Sequence, residues 1–206
     1  MALRNRLLKK IINSPIILKF GQDFQGVNQY KLSLYQQAFS NTGGSLLDFG
    51  CSYGNTTQAF LNFEYHGVDI NKEAIHFARC KYENYPNVHF HNIDILNQGF
   101  KRNYFDHVLF ASTSHHLDDD EFQKTLDVLL EQLKPAGQLH YFDIFQKPDD
   151  KWSTKLLTRY DQGKFIRRQE KSEAFFEKYL NKEVRVYPSP EKLIKLQDFL
   201  YVKLTR

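Results

Sequence analysis

From Ser45 onward the apolar positions fall into two alternating rhythms. Short runs, SLLDFG, YHGVDI, VHFHNIDI, FDHVLFAS and QLHYFDIF, are separated by longer segments, TTQAFLNF, KEAIHFARCKYEN and DEFQKTLDVLLEQL. Runs of about five residues read as strands, and amphipathic stretches of about ten as helices. Their alternation predicts crossovers between parallel neighbours, hence an open α/β sheet with helices on both faces, beginning at Leu46. Upstream, Asn13-Ser14-Pro15 ends a first helix. A second, Asn28 to Phe39, leads to the Asn41-Thr42-Gly43-Gly44 turn. Downstream, helical spacing over 151–181 gives way to EVRVYPSP and DFLYVKLTR, two strands expected to pair as an antiparallel hairpin at the sheet edge.

The chain has 206 residues, enough for one well-packed domain. The expected division is a helical cap over 1–43, a core over 44–146, and helices plus the final strand pair over 147–206. With 41% hydrophobic and 25% charged residues, and with 18 Phe and 12 Tyr, an aromatic-rich core is expected and disorder is not. The formal charge of +4 is spread along the chain, which neither demands nor excludes nucleic acid. Two cysteines, Cys51 and Cys80, are too few for a disulfide framework, and no Cys/His spacing resembles a zinc site, so a reducing cytoplasm is expected. No apolar run of about 18 residues is present. Residues 3 to 12, LRNRLLKKII, join four cations to an apolar face of Leu3, Leu7, Leu8, Ile11 and Ile12. This pattern suits a helix covering the domain, a weak membrane-surface contact, or a targeting peptide; Lys9 and Lys10 argue against a signal peptide.

The first strand-to-helix turn reads LLDFGCSYGNTT, and in an open parallel sheet this turn is where nucleotide-like groups bind. A tight turn without a ligand is the plainer alternative. The dinucleotide pattern Gly-x-Gly-x-x-Gly fits only at Gly50. Asp-x-Gly-x-Gly-x-Gly fits at Asp48, Gly50 and Gly54, with Ser52 standing where the pattern has glycine. On this motif, and on the strand order that follows it, the sequence resembles the class I, seven-strand S-adenosylmethionine-dependent methyltransferases, nearest the small ubiquinone/menaquinone-type branch. The resemblance covers about residues 43 to 145 and implies a Rossmann-like, mostly parallel seven-stranded sheet. LKPAGQL resembles the family turn before strand five, with Ala136 replacing a glycine.

The resemblance also assigns roles. S-adenosylmethionine would be the cofactor, its methionine part cradled by the loop backbone at Gly50, Ser52 and Gly54 with Asp48. Tyr53 would close over that part or pack inward. Asp69, ending YHGVDI, would take both ribose hydroxyls, which suits a carboxylate that can accept from two neighbours, and Ile70 would flank the adenine. Asp94 would meet the adenine amino group, followed by Ile95, and Ala111 would end near the sulfonium. Asp69 and Asp94 have an ordinary alternative as helix N-caps.

A sulfonium methyl is already electrophilic, so the protein's share is positioning, water exclusion and sometimes a base. His115 and His116 stand where the family faces the methyl group, as proton acceptors or as loop residues shaping the pocket. The acids Asp118 to Glu121 read as a capped helix start, and no metal is expected. Tyr30, Trp152, Tyr160, Asp161 and Arg167 are candidates for an acceptor pocket, and Arg167-Arg168 for holding an anion. The expected partner is a small-molecule acceptor rather than nucleic acid, with the oligomeric state open. A methyltransferase-like binding protein without turnover and an RNA-modifying enzyme, which only the basic N-terminus supports, are the alternatives.

Overall fold

The computed structural model describes residues 27–39, 43–152, 154–155, 158, 163–189 and 197–206. The amphipathic segment 3–12 and Pro15 lie outside the described residues, as do Tyr160 and Asp161. The chain divides into two compact units, Met1–Ser40 and Asn41–Arg206. Of the first, helix α1 is described, Val27–Ala38, close to the span expected from the sequence.

The second unit is built on one seven-stranded sheet: β1 Ser45–Phe49, β2 Glu64–Asp69, β3 Val88–Asn92, β4 Phe105–Ala111, β5 Leu133–Ile144, β6 Lys182–Tyr187 and β7 Phe199–Thr205. The strand order is β3-β2-β1-β4-β5-β7-β6. β1 to β5 pair in parallel, while β7 runs antiparallel to both β5 and β6. The two last strands do pair as expected, and β7 slots between β5 and β6, which leaves β6 on the edge. The order reverses between β1 and β4, so the crevice beyond the carboxyl ends of these strands is where a ligand site is expected.

Helices cover both faces, as continuously buried parallel strands require. Helix α2, Lys72–Lys81, buries Ala74, Ile75 and Ala78. Tyr82, capping it, packs on Phe90 of β3, and Phe90 in turn meets Tyr65 of β2. A single turn, α3 (Ile95–Gln98), follows β3. On the opposite face, α4 (Asp119–Gln132) buries Phe122, Leu126 and Leu129, a spacing of four and three that lines one side of a helix. Phe122 packs on Phe110 and Tyr141, and the core continues through Leu139, Phe176, Leu200 and Val202. A last short helix, α5, spans Gln169–Ala174.

Two expectations change. TTQAFLNF does not form an α-helix; it holds a four-residue 3-10 turn, Thr57–Phe60. The nine residues from Asn55 to Phe63 must return from the carboxyl end of β1 to the amino end of β2. At an α-helical rise they would span only about 13 Å, whereas a five-residue strand is roughly 16 Å long. The apolar positions serve instead to bury Phe60 and Phe63, which pack together and with Tyr65. The other change is at LKPAGQL, which lies within β5 rather than before it; the pairing with β4 is irregular between Phe105 and His107.

Histidines cross the sheet on both faces. His66 Nδ1 lies 3.0 Å from His91 Nε2, and His107 Nδ1 lies 3.3 Å from His140 Nε2, while His140 Nδ1 lies 3.1 Å from the Tyr201 hydroxyl. Burial is the main cause holding all four below the usual histidine value, His91 down to about 4. A depressed folded value means that the unfolded chain takes up the proton first. Stability from these groups is complete above about pH 6.5 and is lost as pH falls toward the folded values. Replacing His91 with Gln removes one such site. The stability gap between parent and His91→Gln is expected to shrink by about 2 kcal/mol between pH 7 and pH 4.5, measured by urea unfolding at each pH.

Candidate active site

The glycine loop leaves β1 at Phe49 and is pinned to the end of β2. Gly50 and Cys51 both donate to the Val68 carbonyl, at 2.9 and 3.2 Å, and Gly54 donates to Cys51 at 3.0 Å. Three residues of the loop are left-handed: Gly50 (φ 76°), Ser52 (φ 48°) and Gly54 (φ 65°). The serine thus keeps the conformation that the glycine pattern implies, against the steric preference of an L-residue. The bareness of the glycines has a structural cause. A Cβ on Gly50 would collide with Thr113 from the loop after β4, with Cγ2 2.9 Å away, and one on Gly54 would press on Tyr82 at 3.0 Å and Phe90 at 3.2 Å.

Asp69 closes β2 with its carboxylate half-buried. One oxygen accepts from the Ser52 amide at 2.9 Å and the other from the Asn71 amide at 2.7 Å. Asn71, not Asp69, caps α2, its side chain accepting from Glu73 and Ala74. Ile70, next in the chain, leaves its apolar side chain 76% exposed. Tyr53 packs edge-on against Phe77 of α2, with ring centroids 5.7 Å apart.

Asp94 takes the ordinary role foreseen as its alternative. It is the N-cap of α3, accepting from the Leu96 amide at 3.0 Å and from Asn97 at 2.7 Å. The side chain of Ile95 is buried in the core, and Leu96 is the exposed apolar residue there. Asp48 also turns inward. Its carboxylate is buried and accepts from Tyr65 at 2.6 Å, and Tyr65 accepts from Thr57 at 3.0 Å. Burial pushes Asp48 up to about 7, against the lowering pull of the Tyr65 hydroxyl and with a further push from Asp69.

After Ala111, which ends β4, the chain turns through Ser112 and a 3-10 turn, Ser114–His116. His115 is buried, and its Nδ1 lies 2.7 Å from Asp143 Oδ1. Asp143 is the last residue but one of β5 and was not singled out by the sequence, although it is an acid at a strand's carboxyl end, as Asp69 is. Its carboxylate also accepts from Ile144 N at 2.8 Å, Ser114 N at 2.8 Å, Ser114 Oγ at 2.6 Å and His115 N at 3.2 Å. Burial pushes this acid up, but His115 beside it and the Ser114 and Ile144 donors hold it below the usual range. His116 is exposed, and its ring lies 4.3 Å from that of His115.

Arg167 is not available as an anion holder. It is buried, donating to the carbonyls of Ser114 and Leu117 and to Asp119, and it lies over the rings of Phe122 and Phe175. The acid run opens α4 as expected: Asp118 and Glu121 form a capping box, and Asp119 pairs with Arg167 and Lys171. Trp152 is highly exposed. Among the described residues, no helix is long and apolar enough to cross a membrane.

Residues 46–137 match the family described as "Methyltransferase domain". One curated relative, the highly reducing polyketide synthase pspA of Penicillium soppii, is 28% identical over 150 residues; the match spans 66% of this chain and only 6% of the synthase. Among solved structures, a SAM-dependent methyltransferase from Archaeoglobus fulgidus aligns with a TM-score of 0.69 at 16% identity, covering 94% of this chain and all of its own. Phosphoethanolamine N-methyltransferase 2 of Haemonchus contortus, in complex with phosphomonomethylethanolamine and S-adenosylhomocysteine, has a TM-score of 0.69 at 15% identity, covering 86% of this chain and 52% of its own. These structural likenesses carry the fold. None of the three descriptions names the ubiquinone/menaquinone branch.

Two outcomes check the loop. Gly50→Ala adds a clash and a left-handed alanine, and is expected to destabilise by about 2–3 kcal/mol, whereas Ser52→Gly relieves strain and changes stability by less than about 1 kcal/mol, in the stabilising direction; denaturant unfolding measures both. Asp48 has a raised folded value, so its contribution is complete below about pH 4 and is lost as pH rises through about 7. Asp48→Asn keeps the Tyr65 bond and removes that loss, so it should gain roughly 2–4 kcal/mol on the parent between pH 4 and pH 8.

Proposed function

We propose that this chain, whose residues 46–137 match the methyltransferase-domain family, is a class I S-adenosylmethionine-dependent methyltransferase that moves a methyl group to an oxygen, nitrogen or carbon atom of a small or medium-sized acceptor, as a cytoplasmic enzyme. The observation that carries this is the end of β2. Asp69 is a half-buried carboxylate, each of whose oxygens accepts one amide and keeps a lone pair, and the 76%-exposed Ile70 follows directly. An adenosyl group fits that donor and apolar set: ribose hydroxyls on Asp69, an adenine face on Ile70. Asp94 keeps one acceptor position on each oxygen for the adenine amino group, and Leu96 takes over the apolar role expected of Ile95. The left-handed backbone at Gly50, Ser52 and Gly54 would hold the methionine part beside Tyr53, while Ala111 ends β4 near the reacting centre. Asp48 supports that loop from beneath through Tyr65.

When bound, the cofactor supplies an electrophilic methyl group. The acceptor atom must lose a proton, and His115 is the group proposed to take it. Asp143 at His115 Nδ1 favours the tautomer with a proton there, so Nε2 is the basic atom. His116, exposed beside it, helps enclose the acceptor.

S-adenosylhomocysteine at about 100 times its Kd is expected to raise the melting temperature by roughly 5–10 °C. Asp69→Ala should abolish most of that shift, and His115→Gln should retain it. With radiolabelled methyl donor and fractionated cell extract, the parent should label an acceptor and His115→Gln should not. An equal shift from NAD, with no response to S-adenosylhomocysteine, would overturn this function.

A further inference from the structure

Resting on that function, we infer that the cavity beyond the carboxyl end of β5 binds an oxyanion, a phosphate or carboxylate, carried by the methyl acceptor. The cavity is about 460 Å³ and begins two residues past β5. Four cationic side chains line it, Lys147, Lys155, Lys164 and Arg168, against one carboxylate, Asp150. Part of that charge is already matched. Lys147 Nζ pairs with Asp198, Lys155 Nζ donates to the Pro148 carbonyl at 3.2 Å, and Asp150 accepts the Lys147 amide at 2.8 Å. Lys164 and Arg168, both exposed, enter no ion pair among the described residues.

Excess positive charge in a concavity focuses the field more strongly than the same charge on a convex surface. A guanidinium adds a fork matched to two oxygens of one anion. Arg168 also has a fixed root: its backbone bridges to Gln146, and Gln146 N donates to Arg167 O at 2.8 Å. The cavity adjoins the proposed base. Gly163 lines it and lies directly against His115, where an added Cβ would be 2.7 Å from the His115 carbonyl oxygen, and Phe165 N donates to that same oxygen at 2.9 Å. An anionic tail held here would therefore be anchored next to His115, away from the ends of β2 and β3 proposed for the cofactor.

The test is thermal unfolding of the full chain in inorganic phosphate, in acetate and in chloride at matched ionic strength. Phosphate or acetate is expected to raise the melting temperature of the parent by a few degrees over chloride, and the larger shift names the oxyanion. Lys164→Gln/Arg168→Gln should lose at least half of that shift while keeping its response to S-adenosylhomocysteine. Lys164→Gln alone should lose part of it, and Lys182→Gln, on the distant edge strand, none. No shift over chloride in the parent, or an undiminished shift in both Lys164 variants, would overturn the site. Loss of the S-adenosylhomocysteine response with the anion response intact would instead sink the methyltransferase function and leave the anion site standing.

Discussion

The functional end of this sheet depends on one buried carboxylate. Asp143 accepts five hydrogen bonds, from Ser114, His115 and Ile144, and so ties the end of β5 to the loop after β4. A buried acid is tolerated only when it is satisfied in this way, and removing its partners would leave a desolvated charge that typically destabilises by about 3–5 kcal/mol. With Ser114 held, the preceding Thr113 fills the space that Gly50 leaves by lacking a Cβ. Arg167 clamps the same loop from outside, through the Ser114 and Leu117 carbonyls. The glycine loop, the candidate base and the start of α4 are thereby set by one network rather than by three separate ones.

That network explains what the sequence could and could not disclose. The strands themselves were legible because buried parallel strands are nearly continuous apolar runs, and SLLDF or HVLFA has few other uses, whereas their order across the sheet came only with the structure. The acids and histidines were legible as residues, since each stands near a strand's carboxyl end. Their orientations were not. Asp94 caps α3 and Asp69 does not cap α2, because Asn71 sits at the position whose side chain reaches the Glu73 and Ala74 amides. Local spacing left either acid eligible; the outcome was decided by where β3 stops, two residues before Asp94. Arg167 was misread for a similar reason. A double arginine in a sequence looks solvent-facing, and only the chain's return past α4 buries the first of the pair between Phe122 and Phe175.

The departures from the glycine pattern show conformation outlasting composition. Ser52 replaces a glycine and keeps φ at 48°, and Ala136 replaces another and keeps φ at 64°. Left-handed backbone costs an ordinary residue about 1–2 kcal/mol, so each must be held by surrounding bonds. For Ser52 the holder is Asp69, which accepts its amide. For Ala136 it is the end of the chain, since Ala136 N donates to Arg206 O and Arg206 N donates to Gly137 O. A motif scored by letters loses one position in four at the loop. Scored by dihedral angle, it loses none of the three glycine positions.

The same end of the sheet then divides by charge. At the ends of β2 and β3 the groups proposed for the cofactor are the half-buried carboxylate of Asp69 and the exposed apolar side chains of Ile70 and Leu96, which suit hydroxyls and an aromatic base. Beyond β5 the surroundings turn positive, with Lys164 and Arg168 at the cavity. For the two ligands proposed above, a methyl donor of net positive charge is disfavoured on the positive side and an anionic acceptor is disfavoured beside Asp69, so the two proposed placements reinforce each other. His115 adjoins the positive cavity through Gly163 and is fixed by Asp143. Charge would thus favour keeping the two proposed ligands apart, with the acceptor held beside His115, the proposed base.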